Sequence, residues 1–216
     1  MADLLTSLET RQSGRVVLAE GAVVLRGFAT AQEEELLDGV LRIAAVSPFR
    51  HMVTPGGFPM SVAMTNCGSA GWITERSGYR YDAIDPQTGQ PWPAMPEIFT
   101  ELAERAAHDS GYSGFAPDAC LINRYEPGAR MSLHQDRNER DFSQPIVSVS
   151  LGLACRFLFG GARRADKAQR IPLHSGDVVV WGGPARLTFH GVAPLAAGTH
   201  PLTGVTRYNL TFRKAL

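Results

Sequence analysis

The second half of the chain consists of short segments in which β-branched and aromatic residues are concentrated or alternate with polar ones. Glycine-containing turns such as EPGA, FGGA, HSGD and GGPA separate them. This pattern predicts many short strands, which is typical of two packed antiparallel sheets. The predicted strands are ACLINRY, PIVSVSLGL, CRFLF, DVVVW, RLTFH and VTRYNLTFR, with AVVLRGF (22–28) as an earlier one.

Helical periodicity is confined to two segments of the first half. Thr30 followed by Glu33 is a capping-box pattern, and apolar residues then recur at helical spacing, which predicts a helix over about 31–46. A second helix is expected from Pro96, a favoured first-turn residue, to Gly111, which can end a helix. Helices followed by many short strands predict a mainly β protein, namely a jelly roll with flanking α-helices.

Two other segments lack a regular pattern. Residues 1–15 or so are expected to form a mobile leader, and residues 47–95 or so contain many glycines, prolines and aromatic side chains. A long segment without periodicity inside a compact protein is usually a lid or a binding loop. We therefore expect one domain over residues 1–216, with this segment beside a strand-rich core over about 117–213.

Composition narrows the class of protein. A chain of 216 residues with 44% hydrophobic and 19% charged residues fits a single globular enzyme. No apolar run approaches the roughly 20 residues that cross a membrane, and the N-terminus has no secretory-signal pattern. We therefore expect a monomeric cytoplasmic protein that does not bind membranes. No CxxC motif is present, so we expect reduced, structural thiols at Cys67, Cys120 and Cys155.

The 21 basic and 21 acidic side chains cancel, which argues against strong long-range attraction to polyanions. A local basic patch is still compatible with this balance. The sequence GGARRADKAQR leaves open whether such a patch or a solvated loop is formed by Arg163, Arg164, Lys167 and Arg170.

His134 and Asp136 are two residues apart, so on a strand their side chains point to the same face. One distant histidine would complete a facial triad of two histidines and one carboxylate, which suits an iron(II) that binds a co-substrate and dioxygen together. His190 is the best third ligand by elimination, because it ends the predicted strand RLTFH on its polar face. The other candidates were His51, His108, His174 and His200.

The last predicted strand, RYNLTFR, carries polar residues on one face and apolar residues on the other. Two arginines flanking an amide form a row of donors suited to a dicarboxylate, although such a face is also common on solvent-exposed strands. The strand LINRY adds neutral donors. Together with a metal that has open positions, the donor set indicates 2-oxoglutarate as the co-substrate. Its members are Asn123, Tyr125, Arg207, Asn209 and Arg213, and Thr211 shares the polar face of the last strand.

Several motifs of the chain resemble those of one family, namely LINRYEPGARMSLHQD, VSVSLGL, GDVVVWGG, LTFHG, RYNLTFR, TPGGFPMSVAMTNCG and PWPAMP. They resemble the bacterial AlkB-type dioxygenases that repair alkylated nucleic acids, over residues 20–213 or so. The resemblance implies a double-stranded β-helix with an N-terminal nucleotide-recognition lid. It implies Fe(2+), 2-oxoglutarate and O2 as cofactors, with Arg207 on the distal carboxylate and Arg213 at the iron-proximal end.

The resemblance also implies the substrate and its contacts. Trp72 would stack on one face of a flipped base, with His134 on the opposite side. The base must be flipped because pairing buries the edge that carries the methyl group. Tyr79 would contact the phosphate backbone, Arg164 would lie beside the base or its phosphate, and Met64 would line the pocket. The expected substrates are 1-methyladenine and 3-methylcytosine in single-stranded or locally opened DNA, with RNA left open.

One position departs from the family pattern. The family has HxDxD, with the second aspartate hydrogen-bonded to the base, whereas this chain has HQDRN with Asn138 in that place. An amide donates and accepts, whereas an ionised carboxylate only accepts. The preference among methylated bases is therefore open, while the iron chemistry is expected to be unaffected.

Three alternatives remain. A related dioxygenase could act on RNA alone or on a protein side chain, but Trp72, Tyr79 and Arg164 favour a base and its phosphates. A non-catalytic lesion-binding module would not need the complete triad and donor set. A cupin-like jelly roll with structural zinc or manganese would leave the strand RYNLTFR unexplained.

Overall fold

The computed structural model describes residues 14–216, so most of the predicted leader lies outside the described residues. Gly14 and Arg15, which we assigned to that leader, instead begin the first strand. The helices are α1 (Glu33–Val46) and α2 (Glu97–Asp109). The strands are β1 (Gly14–Ala19), β2 (Ala22–Arg26), β3 (Arg50–Val53), β4 (Pro59–Gly68), β5 (Gly71–Glu75), β6 (Gly78–Asp82), β7 (Ala119–Tyr125), β8 (Met131–His134), β9 (Ile146–Gly152), β10 (Cys155–Phe159), β11 (Gln169–Leu173), β12 (Val178–Trp181), β13 (His190–Val192) and β14 (Arg207–Arg213).

Two antiparallel sheets form the centre of the fold. The large sheet has the order β1-β2-β12-β9-β14-β7-β4-β3, and the small sheet has the order β11-β10-β13-β8. One hydrophobic cluster joins their facing surfaces, for example Leu121 and Trp181 of the large sheet with Phe157 and Val192 of the small one. The prediction of a mainly β jelly roll with flanking helices is confirmed.

The central strands of the large sheet are buried on both faces, which explains the nearly continuous hydrophobic sequence of β2 and β12. In β12, Val179 and Trp181 face the small sheet, whereas Val178 and Val180 face the helices. Alternation along the strand places successive side chains on opposite faces. The helices therefore brace the outer face of the sheet whose inner face carries the site.

The two predicted helices are present, but one begins differently from the prediction. Thr30–Gln32 forms a 3-10 turn and α1 starts at Glu33, so Thr30 is not its N-cap. Helix α2 begins directly after Pro96, as predicted. A Cβ atom on Gly39 of α1 would lie 2.7 Å from Cε1 of Phe99, so this glycine permits the close approach of α2.

The segment 47–95 is more regular than predicted. It contains four strands, of which β3 and β4 extend the large sheet and β5 and β6 form a separate hairpin. Strand β4 pairs with β7 over six residue pairs, from Ala63↔Arg124 to Gly68↔Ala119. Strands β1 to β4 belong to the same sheet as strands of residues 117–213, so this sheet extends beyond the range expected for the strand-rich core.

The predicted strand RLTFH is also wrong. Gly183–Ala185 forms a 3-10 turn, the chain then continues irregularly, and β13 begins only at His190. The argument from alternation in this segment therefore does not hold, although it pointed to the correct histidine. The three cysteines are free and buried, as expected. Neither α1 nor α2, the helices of residues 14–216, could span a membrane.

Candidate metal centre and active-site cavity

A cluster of two histidines and one aspartate lies at one end of the small sheet. His134 is the last residue of β8, His190 is the first residue of β13, and the two residues pair directly. Asp136 follows β8 by two residues, in the loop rather than on the strand. One ligating atom of each residue lies within 4.8 Å of those of the others. The structure thus brings together the three predicted ligands.

Both histidines present the same ring nitrogen to this cluster. Nδ1 of His134 donates to the carbonyl oxygen of Ser132 at 2.8 Å, and Nδ1 of His190 donates to that of Thr188 at 3.0 Å. A carbonyl only accepts, so Nδ1 carries the proton and Nε2 is free to ligate a metal. The two Nε2 atoms each lie 3.7 Å from an oxygen of Asp136.

The charge states of these residues suit a metal ligand set. Burial, together with the neighbouring His134, lowers the pKa of His190 to about 4, so its imidazole is neutral near pH 7. Burial opposes ionisation of Asp136, but Arg213 and the two histidines hold its pKa well below its usual range. Neutral imidazoles and an ionised carboxylate are the forms that bind a divalent cation.

A buried charge network holds Asp136 in place. Nη2 of Arg213 donates to Oδ2 of Asp136 at 2.7 Å, and Nε of Arg213 lies 3.4 Å from Oε1 of Glu139. Glu139 also accepts from Nη2 of Arg186 at 3.0 Å and from the phenol of Tyr81 at 2.6 Å. Tyr81 belongs to β6, so the network ties the hairpin to the metal cluster.

A narrow cavity of about 50 Å³ extends from the cluster between the two sheets. The polar face of β14 lines it, and this face is buried rather than solvent-exposed. Arg207, Asn209, Thr211 and Arg213 are each at most 7% exposed. From β7, Tyr125 and Asn123 are the register partners of Arg207 and Asn209, so all five predicted 2-oxoglutarate contacts line one cavity.

Unsatisfied polar atoms show that this cavity fits a dicarboxylate. The donors Nε and Nη1 of Arg207 and Nε1 of Trp181 are buried and have no partner among the described residues, and neither has the buried acceptor Oδ1 of Asn123. Arg207 donates to the hydroxyl of Ser150 at 3.2 Å and packs its guanidinium over the ring of Tyr125, 4.8 Å from the centroid. A buried cation and donors without partners are costly unless an anion binds there.

A second, larger cavity of about 590 Å³ opens onto the same cluster. Trp72 of β5 and Tyr79 of β6 stack at its wall, with ring centroids 5.5 Å apart and an angle of 19° between the planes. Nε1 of Trp72 donates to Oδ1 of Asn138 at 3.1 Å. Met64 and Arg164 also line this cavity, so it contains all five predicted substrate contacts.

Most residues of the suggested basic patch, and the other histidines, lie outside the metal cluster and the larger cavity. Of the four residues in the suggested basic patch, Arg164 is the one that lines this cavity, and Arg163 pairs with Asp166 at 3.0 Å. The other four histidines lie outside the cluster, and one of them, His51, bonds the carbonyl of Met60. The remaining three are His108, His174 and His200.

Sequence reasoning missed several residues of the site. Trp181 lies against the ring of His190, with centroids 4.8 Å apart, and Ser148 and Ser150 bond Asn209 and Arg207. Alternation in PIVSVSLGL could have identified the two serines, since both lie on the strand face opposite Val147 and Val149. Glu139, Arg186 and Tyr81 are far apart in sequence, and no spacing pattern connects them.

Comparisons with known proteins agree with this geometry. Residues 21–213 match the family described as the 2OG-Fe(II) oxygenase superfamily. The chain is 59% identical over 215 residues to "Alpha-ketoglutarate-dependent dioxygenase AlkB" of Escherichia coli (strain K12), covering 100% of this chain and 98% of that protein. It is 60% identical over 198 residues to the protein of that name from Salmonella typhimurium, covering 92% of each. The solved structure of OsALKBH1 superposes with a TM-score of 0.83 at 30% identity, covering 93% of this chain and 100% of that one.

The fold and the cluster define an iron(II)- and 2-oxoglutarate-dependent oxygenase that also uses O2. The chain belongs to the 2OG-Fe(II) oxygenase superfamily and, within it, to the bacterial AlkB-type dioxygenases. The expected enzyme class and cofactors are therefore confirmed, and the triad of His134, Asp136 and His190 fits the iron.

Proposed function

We propose that this enzyme oxidatively demethylates N-alkylated bases in nucleic acid, with DNA as its principal substrate, and so repairs DNA directly. The observation that carries this proposal is the joining of two cavities at one metal cluster. One has the donors for 2-oxoglutarate, and the other has an aromatic wall of Trp72 and Tyr79. An aromatic platform with nearby cations suits a base and its phosphates.

More distant relatives support a nucleic-acid substrate. A protein of Arabidopsis thaliana named "DNA N(6)-methyladenine demethylase ALKBH1C" is 33% identical over 68% of this chain and 38% of its own length. A protein of Schizosaccharomyces pombe named "tRNA demethylase abh1" is 31% identical over 67% of this chain and 46% of its own length. Their names cover both DNA and RNA, so RNA is an open second substrate.

In this proposal His134, Asp136 and His190 hold iron, and the donors of the narrow cavity hold 2-oxoglutarate. Arg207 binds the distal carboxylate, because its unpaired Nε and Nη1 atoms are buried at the end of the donor row. Arg213 lies at the iron-proximal end, because it already contacts Asp136. Asn123, Tyr125 and Asn209 line the same cavity and add polar contacts without charge.

Iron(II), when bound, supplies the activation of O2, with 2-oxoglutarate converted to succinate and CO2. One oxygen atom is inserted into a C–H bond of the N-methyl group, and the hydroxymethyl product releases formaldehyde and the restored N–H. The residues of this chain orient the methyl group and exclude water. Arg213 holds Asp136 ionised through direct hydrogen bonds, and Glu139 helps to hold Arg213 in position.

The base must leave the double helix to reach the cluster, because its Watson–Crick edge carries the methyl group. We propose that Trp72 stacks on one face of the flipped base, with His134 on the other and Met64 against its edge. Tyr79 is 47% exposed and Arg164 is exposed, so both are available to phosphates. Single-stranded or locally opened DNA would bind most readily.

We also propose that residues 1–216 form one catalytic domain, with residues 47–95 as the lid that contacts the nucleotide. The triad, the donor row and the aromatic wall are complete within one chain, and we propose that the enzyme acts as a monomer. We propose a cytoplasmic location, where reduced cysteines are stable.

The test supplies purified protein with iron(II), ascorbate, 2-oxoglutarate and oligonucleotides that carry 1-methyladenine, 3-methylcytosine, 1-methylguanine or 3-methylthymine. Formaldehyde, succinate and the restored base are measured. We expect demethylation of at least one base, and none with His190→Ala. Absence of turnover on all four with verified iron would refute the proposal. Turnover on RNA alone, turnover on a protein, or lesion binding without turnover would identify the corresponding alternative.

A further inference from the structure

A hydrogen bond from Trp72 orients the side-chain amide of Asn138 at the wall of the substrate cavity. The indole Nε1–H of Trp72 can only donate, so the atom that it contacts at 3.1 Å must be the oxygen of the amide. The amide nitrogen then points away from Trp72. Both residues line the 590 Å³ cavity, and Nδ2 of Asn138 has no acceptor among the described residues.

Asn138 is exposed, but the indole that orients its amide is itself held in place. The backbone N–H of Trp72 donates to Oδ1 of Asn66 at 3.0 Å, and Nδ2 of Asn66 donates to the backbone carbonyl of Trp72 at 3.1 Å. Asn66 is buried, and the ring of Tyr79 stacks on one face of the indole. The cavity therefore presents a hydrogen-bond donor at this position.

The charged side chains around the cavity reinforce this polarity. Its charged lining consists of three cations, Arg130, Arg164 and Arg213, and one anion, Asp136. Arg213 already neutralises Asp136. Glu139 follows Asn138 in the chain, but it is buried and bound to Arg186 and so offers no charge to the cavity. None of the described lining residues therefore has a free negative charge for a cationic base.

We propose that Asn138 directs this site towards N-methylated bases that carry a carbonyl beside the methylated nitrogen, namely 1-methylguanine and 3-methylthymine. This inference rests on the proposed function, because it assumes that a base enters the larger cavity. These two bases are neutral and present an acceptor to Nδ2 of Asn138. In contrast, 1-methyladenine and 3-methylcytosine are cationic and present an exocyclic amino group, which would oppose donor to donor.

The experiment measures kcat/KM for the two bases with a carbonyl group (the carbonyl bases) and for the two with an exocyclic amino group (the amino bases). The ratio of the first value to the second is compared between the wild type and three variants. Asn138→Asp supplies an anionic acceptor, so this ratio should fall by about tenfold or more. Asn138→Ala is neutral and has no donor, so the carbonyl bases should lose rate without a matching gain for the amino bases. Trp72→Phe keeps a stacking ring but frees the amide of Asn138 to rotate. The preference for carbonyl bases over amino bases should therefore weaken, and the ratio of their kcat/KM values should approach one.

Equilibrium binding provides a readout that does not need turnover. Dissociation constants of the same oligonucleotides, measured by fluorescence anisotropy without oxygen, should show the same change of ratio between the wild type and Asn138→Asp. If no base is demethylated but the binding ratios change as expected, the proposed function fails and this inference stands. If bases are demethylated and both ratios differ by less than about twofold between these proteins, the inference is wrong.

Discussion

Replacing Glu139 by glutamine tests the buried charge network most sharply. Glu139 is 6% exposed and contacts Arg186 and Arg213, which are 3% and 5% exposed. With Asp136 the network contains two anions and two cations, so its formal charges cancel. The introduced amide could still accept from Tyr81, but the cluster would carry one uncompensated buried cation.

Removing one partner of a buried ion pair typically costs about 3–5 kcal/mol, because the remaining charge cannot be hydrated. For a chain of this size each kcal/mol lowers Tm by about 2–4 °C, so we expect a fall of roughly 6–20 °C. Tyr81 shares the carboxylate, and burial raises the pKa of its phenol well above the usual range. It therefore stays a neutral donor and cannot replace the lost anion.

The assay is urea unfolding at pH 7, followed by fluorescence and circular dichroism. Glu126→Gln is the matched control, because that carboxylate is 67% exposed and lies 3.7 Å from Arg124. Exposed pairs contribute little, so the control should change stability by less than about 1 kcal/mol. If Glu139→Gln costs no more than the control, the assignment of a tightly coupled buried network is wrong.

Three further outcomes follow from the structure. Hydrogen bonds from Arg50 and Ser47 outweigh burial and lower the pKa of Asp85 to about 2. Asp85 thus stabilises the fold above its unfolded pKa of about 4, and Asp85→Asn should cost about 2 kcal/mol at pH 7. The difference in free energy of unfolding between the wild type and Asp85→Asn, measured by urea titration, should shrink as the pH falls towards 2. A difference that does not change with pH would contradict this prediction. Arg207→Met should raise KM for 2-oxoglutarate by about 100-fold, and an unchanged KM in initial-rate assays would place the distal carboxylate elsewhere. Gly71→Ala would drive a Cβ atom into the ring of Trp92, so thermal unfolding should show a loss of about 1–3 kcal/mol. Wild-type stability would mean that this contact relaxes freely.

Much of the β architecture could be predicted from the sequence because the strands of the second half are short, hydrophobic and bounded by turns. The period-two pattern of RYNLTFR correctly grouped Arg207, Asn209 and Arg213, and the structure shows that this polar face is buried. Burial was the uncertain part, because an isolated strand has the same pattern whether its polar face contacts water or a cavity.

Other features could not be predicted from local pattern. Strand β4 was missed because PMSVAMTNCG has no clear alternation, and its pairing with β7 joins residues more than 50 positions apart. The sequence indicated His190 as a ligand, although the predicted strand before it was wrong. His190 follows an irregular loop and begins a strand rather than ending one. The contact between Trp72 and Asn138 spans 66 positions, and the tertiary fold alone brings these residues together.

The central claim is that one triad and one buried arginine form a joint site for iron and 2-oxoglutarate. Absorption spectroscopy without oxygen tests it directly, because a 2-oxoglutarate chelate of iron(II) has a visible charge-transfer band. We predict that the wild type develops this band when both are added, that His190→Ala does not, and that Arg207→Met requires a much higher concentration of 2-oxoglutarate. An unchanged titration in both variants would contradict the account.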